Sequence, residues 1–223
     1  MSKQITMLAV LMLILAGCAG EPSIDTGPDA KMTFDGLAPI NNSRFREAWA
    51  DPDVDLKQYN KMIIGGAEFE FRAVKKSTGS TSVRRNSNNE FWMDDKTRAK
   101  LVETVTAVFA EELTSVKGFT VTEEKGADTL ILIGGLHDIV SRVPPDLVGR
   151  GEIYLSSLGE ATLVIEARDS LSGETIFRAV DRRAAERMGD MINVNSVTTM
   201  SEVKRWARRW AMRLREGLES IHE

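Results

Sequence analysis

Residues that carry out catalysis or hold metals are sparse in this chain of 223 residues. It has one cysteine, Cys18, and its two histidines, His137 and His222, lie far apart in the sequence. Nucleophilic catalysis needs a nucleophile next to a base, and a zinc site needs at least three side-chain ligands. The spacing reveals no such set. The sequence therefore favours a protein that is not an enzyme and that holds no metal or other cofactor.

The aspartates Asp51, Asp53 and Asp55 alternate as they do at the start of an EF-hand calcium loop. Such a loop also needs a glycine at its sixth position and a bidentate glutamate at its twelfth. Those positions hold Leu56 and Met62. We therefore interpret the three carboxylates as acceptors for nearby backbone N–H groups in a turn.

Ser201 and Lys204 match S-x-x-K, the nucleophile motif of penicillin-binding proteins and class A β-lactamases. The companion motifs S-D-N and K-T-G are absent from the chain. A pattern with two free positions arises often by chance, so we interpret this pair as a coincidence of spacing.

Cys18 follows an apolar run over residues 5–17, which itself follows the positively charged Lys3. The run is too short to span a bilayer as a stable helix, but it has the size of a signal-peptide core. The tetrapeptide LAGC that ends at Cys18 resembles the bacterial lipobox, in which the cysteine becomes the mature N-terminus and its sulfur carries a diacylglycerol. We predict that residues 1–17 are a signal peptide and that Cys18 is lipidated.

The residue after the cysteine is Ala19 and not aspartate. In enteric-type sorting this favours the outer membrane, so we expect a lipid-anchored protein on its periplasmic face. Stable anchoring needs more than one acyl chain. The rest of the chain has no apolar run long enough to cross a bilayer. A formal net charge of −4 argues against general nucleic-acid binding.

Three segments are predicted along the chain. After the signal peptide, residues 18–48 are rich in proline, glycine and aspartate, and we predict that they form the acylated cysteine and a flexible tether. Residues 49–223 are predicted to form a single domain. With one cysteine the domain has no internal disulfide, so its apolar core alone must stabilise the fold.

Hydrophobic periodicity predicts the elements of this domain. Alternation predicts a strand at 62–74 and a hairpin at 159–186, and successive apolar residues predict a central strand at 129–135. Helical spacing predicts one helix after Asp94 and another that begins with a capping box at Thr199. The sequence thus predicts an α+β fold, with a mostly antiparallel or mixed sheet, helices on one face and a C-terminal helix.

Two basic regions are candidate partner surfaces: a long polar loop at 75–89 and the arginine face of the C-terminal helix. Each region allows two interpretations. In the structural one, the side chains are solvated, around a loop in one case and on a core-packing helix in the other. In the functional one, they contact an anionic lipid, glycan or other partner. The candidate residues are Lys75, Lys76, Arg84, Arg85, Arg205, Arg208, Arg209 and Arg213.

Several segments together resemble a family of uncharacterised Gram-negative lipoproteins. They are the lipobox, DPDVDLKQYNKMII, GADTLILIGGLHDI, LGEATLVIEARDSLSGETIFRAVDRR and WARRWAMRLR. The order of elements is also similar, more loosely, to the small α/β domain of the TolB N-terminal region, of the curli secretion lipoprotein CsgG and of lipoprotein activators of peptidoglycan synthases. The resemblance implies binding more than chemistry, and it supplies no catalytic residues.

The expectation from sequence is a non-enzymatic accessory protein that docks a protein partner in the cell envelope. The alternative is a carrier or sensor that binds a small apolar or anionic molecule between the sheet and a helix. An envelope hydrolase is a third hypothesis. The oligomeric state stays open, because nothing in the sequence requires an exposed strand edge to pair.

Overall fold

The computed structural model describes residues 20–75, 90–143, 154–155, 157–186, 192–193 and 196–222. Its elements in chain order are β1 (Ser23–Ile24), β2 (Ala38–Asn41), β3 (Glu47–Ala50), β4 (Lys61–Phe71), α1 (Asp95–Leu113), β5 (Thr120–Val121), β6 (Thr129–Ser141), β7 (Tyr154–Leu155), β8 (Ser157–Asp169), β9 (Thr175–Glu186), β10 (Ile192–Asn193) and α2 (Ser196–Glu219).

Eight of the strands form one sheet in the order β1-β2-β3-β9-β8-β6-β4-β5. Strand β4 runs parallel to β5 and β6, and every other pair in this sheet is antiparallel. Strands β7 and β10 form a separate antiparallel pair. The sheet is therefore mixed and mostly antiparallel, which confirms the predicted α+β class.

Both helices bury one apolar stripe in a common core. Asp94 caps α1 by accepting a hydrogen bond from the Thr97 backbone N–H at 2.6 Å. The helical core residues are Leu101, Val105, Val108, Leu113, Ala207, Trp210, Ala211, Leu214 and Leu218. They pack on alternate β8 residues such as Leu163 and Ile165. The predicted C-terminal helix and the predicted packing of helices on one sheet face are confirmed.

The predicted hairpin is formed by β8 and β9. Asp169 closes its turn by accepting hydrogen bonds from the backbone N–H groups of Leu171 and Ser172, at 2.9 and 2.7 Å. Gly173 supplies the left-handed backbone at φ 77°. Tyr59 donates its hydroxyl proton to Asp169 at 3.0 Å, and burial together with this bond raises the pKa of Tyr59 to about 12.

The aspartates at 51–55 also act as predicted. Asp51 accepts a hydrogen bond from the Asp53 backbone N–H at 2.9 Å, and Asp55 accepts one from that of Lys57 at 3.0 Å. The structure therefore confirms the turn interpretation for Asp51 and Asp55.

The prediction of a flexible tether over residues 18–48 is wrong for the part that the structure describes. Strands β1, β2 and β3 extend the sheet beyond β9, and Leu37 and Ala38 are buried. Asp35 accepts two hydrogen bonds from Arg178 of β9, at 3.1 and 2.7 Å, and these bonds lower its pKa to about 2. Pairing with a distant strand orders the segment, so the domain begins well before residue 49.

A group of charged side chains, here called the Arg72 cluster, joins the ends of β4, β6 and β8. Arg72 donates hydrogen bonds to Asp138 and Glu90, and it lies 3.5 Å from Glu160. Two further arginines, Arg142 and Arg182, pair with Glu160 at 3.7 and 3.4 Å. A register shift between β6 and β8 gives Asp138 a φ of 56°. Arg72 also holds the pKa of the Asp138 carboxyl below its ordinary value.

Within the residues that the structure describes, neither helix is long and apolar enough to cross a membrane.

Candidate functional site

An arginine-lined cleft of about 540 Å³ opens between the β2–β3 connection, the middle of β9 and the first half of α2. Its wall carries six arginines and two carboxylates, together with two aromatic residues. The lining residues are Arg44, Phe45, Arg46, Asp181, Arg182, Arg183, Glu202, Arg205, Trp206 and Arg209. The formal charge of this wall is strongly positive in a chain whose net charge is −4.

Helical spacing brings the α2 members together. Glu202, Arg205 and Arg209 lie three and four residues apart, so their side chains project from one helix face. That face lies beside the β2–β3 connection, where Asn42 adopts a left-handed φ of 56°. The connection contributes arginines at positions 44 and 46 on the opposite side of the cleft.

Asp181 is the buried acid at the base of the cleft, and its side chain is only 3% exposed. Its Oδ2 atom accepts hydrogen bonds from Trp210 Nε1 at 2.9 Å, Arg183 Nε at 2.7 Å and Arg213 Nη1 at 3.2 Å. A buried carboxylate is tolerated only when such partners compensate its charge. Asp181 therefore anchors α2 to β9. Its negative charge is already paired with Arg183 and Arg213, so it does not neutralise the other arginines of the cleft.

The remaining arginines are only partly balanced. Arg205 pairs with Glu202 in the same helix, and Arg44 pairs with Glu216 at 2.9 Å. Arg182 reaches Glu160 of the Arg72 cluster at 3.4 Å. Arg46 and Arg209 are exposed, and among the described residues neither has an ion-pair partner. The cleft thus presents guanidinium groups whose hydrogen-bond donors are available to an anion.

Trp206 gives the cleft an aromatic wall. Its ring centroid lies 4.1 Å from that of Trp210, with the two planes inclined by 37°. The Trp206 Nε1 atom is buried and has no hydrogen-bond acceptor among the described residues. Arginine and tryptophan are both enriched where proteins bind one another, because they combine flat contact area with directed donors.

The structure brings two of the predicted surface residues, Arg205 and Arg209, into the cleft. Arg208 instead joins the two helices through Glu111 and Glu112 of α1, at 3.0 and 3.5 Å. Arg213 points to the buried Asp181. These last two arginines therefore contribute to packing in the folded chain.

The other predicted basic residues lie elsewhere. Lys75 is exposed after the end of β4, and Lys76, Arg84 and Arg85 lie outside the described residues. Sequence reasoning missed the contributions of Arg44, Arg46, Arg182 and Arg183, which come from two other segments. One signal for these residues is present in the sequence: two arginines lie close together in each of the segments 44–46 and 182–183.

A second hollow, the apolar cavity, lies next to the cleft and shares Arg44 and Phe45 with it. It measures about 370 Å³ and lies between β1, the short 3-10 turn Leu56–Gln58 and the end of α2. In the parts of the chain that the structure describes, no group of three or more His, Cys, Asp or Glu side chains is arranged to hold a metal ion.

The fold and the site define an α+β protein with a basic cleft on the side of the sheet that carries the helices. The chain belongs to DUF3313, a family of proteins of unknown function, whose model matches residues 30–214. No curated protein matches it.

Two solved structures show weak similarity. A PelC dodecamer from Paraburkholderia phytofirmans has 9% identity and a TM-score of 0.32, over 68% of this chain and 88% of that one. Protein XCC0632 from Xanthomonas campestris, of family DUF330, has 9% identity and a TM-score of 0.38, over 81% of this chain and 93% of its own. Similarities this weak support no statement about what the present protein does.

Proposed function

We propose that this protein is a lipid-anchored accessory protein on the periplasmic face of the outer membrane, and that it docks an acidic segment of an envelope protein in the arginine-lined cleft. The observation that carries the docking proposal is the imbalance of charge in that cleft. Of the six arginines that line it, Arg46 and Arg209 have no ion-pair partner among the described residues, and both lining carboxylates already have arginine partners.

An acidic peptide segment suits the chemistry of this wall. Guanidinium groups bind carboxylates with paired N–H donors, and exposed rim charges accelerate encounter with an oppositely charged partner. Arg46 and Arg209 are the best placed to do this, since they are exposed and have no ion pair among the described residues. Trp206 offers flat apolar area beside them.

The anchor part of the proposal comes from the sequence. The tetrapeptide that precedes Ala19 supports lipidation at Cys18, only five residues before β1 begins at Ser23. An extended chain of five residues spans at most about 18 Å. The cleft would therefore work close to the membrane surface, where partners in the same membrane are concentrated. The non-enzymatic role rests on the lack of a nucleophile–base pair in the sequence.

The test is in-cell photo-cross-linking of the full-length protein with a photoreactive residue at Ser201, which is exposed beside Glu202. Cross-linked partners are identified by mass spectrometry in the wild-type background and with Arg46→Glu and Arg209→Glu combined. Lys204→Glu is the matched control, because Lys204 is an exposed cation of α2 that does not line the cleft. A Cys18→Ala variant reports on the anchor.

We expect an acidic envelope protein that is lost with the double reversal and kept with Lys204→Glu. The same protein captured equally by both variants would contradict docking in the cleft. Capture of lipid or glycan in place of protein would assign the cleft to a different class of ligand. An unmodified Cys18 in the mature protein would contradict the anchor and leave the cleft result standing.

The apolar cavity favours one alternative, a carrier or sensor of a small apolar molecule between the sheet and α2. Its volume lies in the range of ordinary ligand pockets, about 300 to 1,000 Å³. Native mass spectrometry of freshly purified protein should then show a retained ligand. A mass equal to that of the protein with its lipid anchor would count against this alternative.

A further inference from the structure

The apolar cavity lies at the end of the domain where the described chain begins. Ile24 and Ile40 form one side of it, Leu56 covers it, and Leu214 and Ile221 close it from the last turns of α2 and just beyond. The hollow is open to solvent on one side and measures about 370 Å³, so an apolar group could enter it from outside the fold.

Gly217 leaves open space at the α2 wall of the cavity. It lies within α2 and lines the cavity, and a Cβ atom built on it would meet no atom within 4 Å. Glycine inside a helix lowers helix stability compared with alanine. The chain therefore carries a residue that weakens the helix at a position where a larger side chain would fit into the cavity.

The residues that line the cavity near the start of the described chain indicate which group could occupy it. Pro22 and Ser23 line the opening, and Cys18 precedes Pro22 by four residues, which an extended chain spans in about 14 Å. We propose that the cavity binds one of the acyl chains attached to Cys18. This inference rests on the lipidation in the proposed function.

Moving one acyl chain from the bilayer into the cavity should cost little free energy. An acyl chain that leaves the bilayer for an apolar cavity moves from one apolar environment to another, so most of its transfer free energy is conserved. Arg44 and Lys57 line the cavity and are exposed, and such cations are attracted to the anionic head groups of a membrane surface. Withdrawal of one chain would also weaken the anchor, since stable attachment needs more than one chain.

The test uses full-length lipoprotein from cells fed a fatty acid with a diazirine near the end of its chain. The protein is purified in detergent and irradiated, and its peptides are sequenced by mass spectrometry. We expect the peptide that bears Cys18 to be cross-linked to the peptides of Leu214 or Ile221 of the same chain. Gly217→Trp should fill the cavity and reduce these cross-links at least tenfold, while Gly217→Ala keeps them.

Circular dichroism melts check that both variants fold, and both are expected to melt at or above the wild-type temperature because they remove a helical glycine. An acylated Cys18 whose cross-links are the same in wild type and Gly217→Trp would overturn the inference and leave the anchor intact. Cross-links at the same α2 peptides that carry a separate phospholipid would also overturn it, by naming a different occupant. A mature chain without acyl mass on Cys18 would overturn both the anchor and this inference.

Discussion

The Arg72 cluster and the arginine-lined cleft use the same side chains in opposite ways. In the Arg72 cluster, three arginines meet three carboxylates, and Glu90, Asp138 and Glu160 each contact at least one guanidinium. In the cleft, four of the six arginines have an acidic partner, and Arg46 and Arg209 have none among the described residues. Balanced charges hold elements of one chain together, whereas unbalanced charges remain available for a partner. Arg182 lines the cleft but pairs with Glu160, so it belongs to the balanced group.

The largest expected effect is on the balanced side. Arg72→Met removes the arginine that pairs with the buried Glu90 and with Asp138, and one of the three arginines that pair with Glu160. Breaking a buried ion pair in this way should lower the free energy of unfolding by about 3 kcal/mol. The matched control is Arg209→Met in the cleft, which should change it by less than about 0.5 kcal/mol. Urea titrations of both variants measure this, and equal losses would abolish the distinction between the two regions.

Asp181 is the exception inside the cleft, because it is buried and fully paired. Asp181→Ala removes the acceptor for the Trp210 indole N–H and for two arginines. Buried donors left without partners should cost about 2 kcal/mol of unfolding free energy. Chemical denaturation with tryptophan fluorescence follows the change directly. A loss close to zero would mean that Asp181 does not anchor α2 to β9.

The Arg72 cluster should also make the stability of the protein depend on pH. Arg72 lowers the pKa of Asp138 below its ordinary value of 3.8, so the stabilisation is present above that value and is lost as pH falls through the lowered pKa. The side chain is partly exposed, so solvent screening limits the effect to on the order of 0.5 kcal/mol. Asp138→Asn should flatten this part of the acid limb in melts recorded from neutral to acidic pH. An acid limb identical to wild type would contradict the assignment.

Much of the fold was predictable because its periodicity is local. The alternation along β8 and β9 and the apolar stripe of α2 can be read directly, and the structure places both as expected. Strands β2 and β3 were missed because each has only four residues, and because β3 pairs with β9, which lies far away in the sequence. The predicted capping box at Thr199 is wrong, since α2 already begins at Ser196.

The candidate site was predictable only in part, because some of its residues come together through contacts between distant parts of the chain. Arg205 and Arg209 lie on one helix, so spacing alone places them on one surface. The arginines at 44, 46, 182 and 183 reach the cleft only through the β3–β9 pairing and the packing of α2. The sequence also suggested Arg208 and Arg213 as surface residues. Their acidic partners lie on α1 and β9, far away in the sequence, so helical spacing alone does not reveal them. Tertiary structure decides which arginines remain available.

The smallest expected effect is the most direct measure of the unbalanced charge. Arg46→Gln and Arg209→Gln combined should leave the unfolding free energy unchanged or slightly higher at low salt, because they remove like-charge repulsion. The Debye length falls from about 30 Å at 0.01 M salt to about 8 Å at 0.15 M. Added salt should therefore stabilise the wild type more than the double variant, as thermal melts at the two salt concentrations would show. If the variant were instead less stable at both, these arginines would have acidic partners within the chain, and the cleft would be a second balanced cluster.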